Sequence, residues 1–174
     1  LLCGDPNFGE VSFSLSCRYD LREQFNLGLT LIHSFEYAEA EKVFVSILDQ
    51  DPECLMAYWA TAMSILNHPL SFKQNPESLK RGEELLKVAK KLNPNNEREK
   101  DYIDAVSIYF NDWQNLDTQS RKLNYENKME ELYKKYPDDV ETAVFYSLAV
   151  LASAVLNDKT YTNQKKSGKI LEKL

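Results

Sequence analysis

The chain has 174 residues, 43% of them hydrophobic, with only 5 glycines and 6 prolines and a formal net charge of -6 at neutral pH. That composition is too apolar for a disordered chain, and no apolar run approaches the roughly 20 residues that a membrane-spanning helix needs. The acidic balance also argues against a dedicated nucleic-acid binder, because neutralising phosphates takes a basic face.

Residues 1–18 read as an extended N-terminal segment. From Glu10 to Cys17 the pattern alternates strictly, with Val11, Phe13, Leu15 and Cys17 on one side and Ser12, Ser14 and Ser16 on the other, which is the period of an extended chain. It is expected to lie along the first helical pair rather than to start a sheet. Leu1-Leu2-Cys3 opens the chain without a methionine, and an apolar pair before a cysteine fits the tail of a lipoprotein signal. A bacterial envelope location, periplasmic or lipid-anchored, is the expectation; a cytoplasmic one stays open.

From Arg22 to Phe35 apolar residues fall on two flanks, Phe25, Leu29 and Ile32 on one and Leu27 and Leu31 on the other, so a helix buried on two sides is predicted. Gly28 lets a second helix approach closely, and Ala40 on that second helix is small for the same reason. Phe44 and Ile47 complete its inner face, and Asp51-Pro52 stops it, since proline disfavours helical geometry in the residue before it. Leu27-Gly28, Tyr37, Ala40, Phe44 and Pro52 match the landmark offsets of the tetratricopeptide repeat, a helical hairpin of about 34 residues. Gln24 stands where that repeat usually has tryptophan.

A single hairpin cannot bury both of its faces, so others should follow. Glu53 to Asn67 puts Ala62 at the small position, and Pro76 to Leu92 puts Gly82, Leu86, Ala89 and Pro94 at theirs once an insertion of about His68 to Asn75 is allowed. Glu97 to Asn111 and Thr118 to Tyr136 form a third pair, with Ala105 and Tyr125 as looser matches; the bulk of Tyr125 predicts a splayed or shifted pair. Asp139 to Leu156 with Ser147, and Asn163 to Leu174 with Ser167 and Leu171, form a fourth. The expected fold is an all-α, right-handed solenoid of about four antiparallel hairpins over residues 19–174, with repeats near 21–54, 55–96, 97–139 and 140–174.

The stretch FNLGLTLIHSFEYAEAEKVFVSILDQDPECLMAYW, from Phe25 to Trp59, resembles the opening of a family of bacterial tetratricopeptide-repeat proteins. So do GEVSFSLSC before it and the NHPL, EREKDYI and YPDD segments after it. The resemblance covers nearly the whole chain and implies a repeat architecture that continues beyond these residues. It implies little about chemistry, because members of that family are mostly of unassigned activity.

In such a scaffold the first helix of each pair lines a concave face. The partner-binding candidates on it are Phe25, Leu29, Trp59, Met63 and Tyr109. An apolar groove of this kind accepts a partner helix or extended peptide through aromatic anchors. Chaperone-binding repeats clamp a carboxylate with Lys and Asn at places where this chain has Phe25, Leu29, Trp59 and Met63, which argues against such a clamp. The same aromatics also read as ordinary core covered by downstream repeats or by the inserted loop near His68 to Asn75. The function expected is a non-catalytic interaction scaffold for a protein or peptide ligand, with no cofactor.

The alternative is a divalent-metal protein, hydrolytic if an enzyme at all, with a site completed by downstream repeats. The only two histidines, His33 and His68, fall near the ends of adjacent first helices, where a carboxylate such as Glu36 or Glu39 would help hold zinc or a similar ion. Two ligands alone do not make a site. There is no glycine-rich phosphate loop, nucleophile elbow or paired-cysteine metal motif. Cys17 and Cys54 precede or open neighbouring first helices, so a disulfide between them is geometrically allowed, as is burial of two free thiols. A bridge would imply an oxidising compartment. The lysines at Lys87 to Lys91 and Lys165-Lys166 read as solvated helix surface.

Overall fold

In a computed structural model the described residues are 11–66, 75–92, 96–155 and 157–174, and they are all-α. A 3-10 turn at Tyr19–Leu21 leads into α1 (Arg22–His33), α2 (Tyr37–Gln50), α3 (Leu55–Leu66), α4 (Pro76–Lys91), α5 (Glu97–Phe110), α6 (Thr118–Lys135), α7 (Val140–Ala152) and α8 (Thr162–Leu171). No strand occurs among the described residues, and no described helix is long and apolar enough to cross a membrane. Each helix packs on the next, while α1 also touches α3 and α3 touches α5. The helices α1, α3 and α5 therefore share one side of the molecule.

Local chemistry sets the helix ends. Phe35 adopts φ 63° after α1, its N–H bonding the Ile32 carbonyl at 3.0 Å while the Glu36 N–H bonds that of Leu31 at 2.8 Å. Those two bonds are the Schellman pattern, made here without glycine. The side chains of Asn75, Asn96, Asp117 and Asp139 accept backbone N–H bonds at the starts of α4, α5, α6 and α7. Where α3 was expected from Glu53, the chain first turns. Asp51 accepts the Glu53 N–H on its side chain at 3.2 Å and the Cys54 N–H on its carbonyl at 3.1 Å, so Pro52 sits in that turn rather than in the helix. The seventh helix is shorter than the period suggests, because Asn163 takes its Val150 carbonyl at 2.7 Å and the chain leaves the helix at Ser153.

Two glycines mark the closest helix approaches. A Cβ at Gly28 would collide with the ring of Phe44 on α2, and one at Gly82 with the ring of Phe110 on α5. Neither ring has room to retreat, since both are fully buried. Helix propensity alone would make glycine to alanine stabilising by about 1 kcal/mol at each site. Overpacking reverses the sign, and Gly28→Ala or Gly82→Ala is expected to destabilise the chain by about 1–3 kcal/mol. Urea unfolding of the two variants checks this; a gain in stability at either site would contradict the packing described.

Candidate functional site

The inner face of α1, α3 and α5 is occupied by the chain's own N-terminal segment. Residues 11–17 alternate as their sequence predicts: Phe13 and Leu15 are buried, while Ser12, Ser14 and Ser16 are exposed. The Phe13 ring lies 5.5 Å from Phe25 of α1, 5.8 Å from Trp59 of α3 and 5.5 Å from Tyr102 of α5, stacked on the indole and edge-on to the phenol. The Arg98 guanidinium lies over the same ring, 4.3 Å from its centroid. A segment expected to follow the first pair thus spans three pairs.

The main chain of this strap is held as firmly as its side chains. The Phe13 N–H donates to Asn26 Oδ1 at 3.1 Å, and Arg98 donates to the Ser14 carbonyl at 2.9 Å. Ser16 gives both its N–H (2.6 Å) and its hydroxyl (2.5 Å) to the two oxygens of Glu99, a carboxylate with no exposed surface. Cys17 is bonded to Cys54 just before α3, with Cα atoms 4.8 Å apart. The strap is therefore pinned at its far end by a covalent bond and along its length by groups from α1 and α5.

All five residues expected to line an open groove are buried within the chain: Phe25, Leu29, Trp59, Met63 and Tyr109. The correction has a physical cause. Phe13, Tyr102 and Phe145 surround Trp59, the latter two edge-on at 5.3 and 5.4 Å. Phe13 also covers Phe25. Further along, the Arg121 guanidinium lies 4.6 Å over Tyr109, and the Tyr125 hydroxyl meets Met63 Sδ at 3.9 Å. Trp59 Nε1 is left without a hydrogen-bond partner inside this cluster.

Of the two histidines, His33 is engaged by its own chain. Its Nε2 lies 2.9 Å from Glu141 Oε2 on α7, and its ring packs on Phe145 at 5.5 Å. His68 lies outside the described residues, as do Cys3 and most of the expected insertion. Glu36 and Glu39 do not join His33 in a site, and among the described residues no group of three or more His, Cys, Asp or Glu side chains is placed to hold a metal.

The polar residues that build the site are ones the repeat pattern did not single out. Arg98 bonds Asp139 at 2.6 Å, and Asp139 also accepts from the Tyr102 hydroxyl at 3.0 Å and from Thr142 at 2.7 Å. Burial opposes the Asp139 charge, but the bonds from Arg98 and Thr142 and the guanidinium's charge together hold its pKa below the ordinary carboxylate value. Burial, and then the Asp139 charge, pushes the Tyr102 hydroxyl up. The available signal was the Glu97-Arg98-Glu99 run at a helix start, where acidic residues are commonplace and so carry no marker of a buried role.

Asp139 sets a pH dependence whose sign follows from that shift. A carboxylate with a depressed folded pKa adds stability above its unfolded value of about 3.9 and loses it as pH falls through the folded value. The chain should therefore lose stability below about pH 4, and Asp139→Asn should weaken it by about 1–3 kcal/mol near neutrality while flattening part of that acid limb. Urea midpoints between pH 3 and 7 measure both effects; an unchanged acid limb would remove Asp139 as its source.

No known protein family, no curated protein and no solved structure matches this chain.

Proposed function

We propose that the chain is a non-catalytic protein-interaction scaffold, a right-handed array of four tetratricopeptide-like hairpins whose concave face is made to hold an extended apolar segment. The observation that carries this reading is the strap: alternate side chains enter pockets while the backbone is read by Asn26, Arg98 and Glu99. Side chains in pockets and main-chain bonds along an extended segment are how peptide-binding surfaces recognise their ligands. Further support comes from the sequential packing of the pairs, with α1, α3 and α5 on a common side. The occupant is the chain's own 11–17 segment, tethered at an effective concentration on the order of millimolar. A free peptide of micromolar affinity is excluded while the Cys17–Cys54 bond stands, and the groove opens to a partner only when the strap is loosened. No cofactor is part of this reading. The metal-dependent alternative has no observation in its favour among the described residues, since His33 is taken by Glu141.

A labelled synthetic peptide of the 11–18 sequence, with serine for cysteine, tests the groove. The intact chain should not bind it, and a Phe13→Ser, Cys17→Ser variant should, provided circular dichroism shows the variant folded. The same peptide with serine in place of its phenylalanine should bind to neither. A folded variant that ignores the peptide would sink the reading.

The bridge also bears on location. We assign the chain to an oxidising bacterial envelope, because disulfides persist there and are reduced in the cytosol. In protein trapped with acid and treated with iodoacetamide, Cys17 and Cys54 should stay unmodified until a reductant is added. Modification without reductant would remove the case for the envelope.

A further inference from the structure

The outer surface carries a second site of opposite character. Between α6 and α8, with α7 as its floor, lies a cleft of about 710 Å³. It is lined by five lysines, Lys134, Lys165, Lys166, Lys169 and Lys173, against one carboxylate, Glu130. Such an excess is unexpected in a chain whose net charge is -6. Three of these lysines are engaged: Lys166 pairs with Glu126 at 3.0 Å and lies 5.1 Å over the Tyr146 ring, Lys134 reaches Glu130 at 3.5 Å, and Lys165 donates to the Thr160 carbonyl. Lys169 and Lys173 are exposed and form no ion pair with a described carboxylate. The cleft is not purely polar, because Tyr133 and Tyr146 stack at 5.2 Å beside buried Ile170.

The geometry of the lysines narrows the ligand. Lys165, Lys169 and Lys173 follow one another at four-residue intervals along α8 and its closing turn, a rise of about 6 Å per step. An extended peptide places alternate side chains about 6.6–6.8 Å apart on one side. The helical step from Lys165 to Lys169 matches that repeat, and Lys173 continues the row in the turn that closes α8. Side chains between the acidic ones would face the opposite wall, where Tyr133 offers a ring. A long polyphosphate suits the surface less well, since the acidic remainder of the chain repels it. A short acidic peptide reaches no further than about a Debye length of 8–10 Å and feels mainly the cleft.

We infer that the α6–α8 cleft binds an extended acidic segment of a partner protein, with carboxylates at alternate positions against Lys165, Lys169 and Lys173 and apolar side chains between them against Tyr133. This rests on the scaffold reading above but on none of the strap's contacts. It also gives the Lys165-Lys166 cluster a role beyond solvated surface.

The experiment is fluorescence anisotropy with the intact chain and a labelled Glu-Val-Glu-Phe-Glu peptide, beside its Gln-Val-Gln-Phe-Gln counterpart. The acidic peptide should bind roughly tenfold or more tightly than the amide one, and its affinity should fall severalfold between about 50 and about 200 mM salt. Lys169→Glu with Lys173→Glu should abolish the preference while lowering the urea midpoint only slightly, because both side chains are exposed and only the favourable charge of Lys169 in the last turn of α8 is lost. Equal binding of the two peptides, indifference to the charge reversal, or no binding at about millimolar peptide would overturn the inference. So would tighter binding of a single-stranded oligonucleotide to the same lysines, which would make the cleft a polyanion site. The charge-reversed chain carrying Phe13→Ser and Cys17→Ser should still take the strap peptide. If the acidic peptide fails on the intact chain while the strap peptide still binds the loosened one, the cleft inference falls alone; if both fail there, the scaffold reading falls with it.

Discussion

The seating of one phenylalanine organises the interior. Phe13 touches an aromatic ring from each of α1, α3 and α5, so the faces of three helices that would otherwise line a trough become a single core with Trp59 at its centre. Burying such a side chain is worth about 1.5–3 kcal/mol, and each well-placed aromatic pair adds about 0.5–1.5 kcal/mol. The disulfide at Cys17 and the Glu99 carboxylate hold the backbone where this insertion needs it. Without the strap, Phe25, Trp59 and Tyr102 would share an apolar surface open to water.

The charges beside this core follow the rule that buried ionic groups must be paired. Glu99 is satisfied by the strap, and Asp139 by Arg98, Tyr102 and Thr142, which ties the start of α5 to the start of α7. Arg98 serves both sets, bonding Asp139 while covering Phe13 and holding the Ser14 carbonyl. The strap and the fourth helical pair are therefore coupled through one side chain. Arg121 contrasts with this arrangement: its guanidinium is buried on Tyr109 and bonds Thr118, yet Nε and Nη1 have no partner. Nothing in the described structure accounts for that cost.

Two surfaces of different chemistry emerge. The inner one is aromatic, buried and closed by the chain itself; the outer one, between α6 and α8, is cationic and open.

The helices were legible in the sequence because they depend on near neighbours: apolar spacing, Asp51-Pro52 after a helix end, and glycine where another element must come close. Gly28 and Gly82 sit under Phe44 and Phe110, where a side chain would collide, although only the structure identified Phe110 as the second ring. The alternation of Phe13 with serine showed an extended segment with one apolar side, and it could not show which surface that side would meet. That was decided in three dimensions, where Ser16 meets Glu99 across 83 residues and His33 meets Glu141 across 108. Local pattern determined which residues are apolar and helical, and tertiary packing decided that the apolar groove is filled from within, because burial and pairing between distant segments depend on which surfaces the folded chain brings into contact.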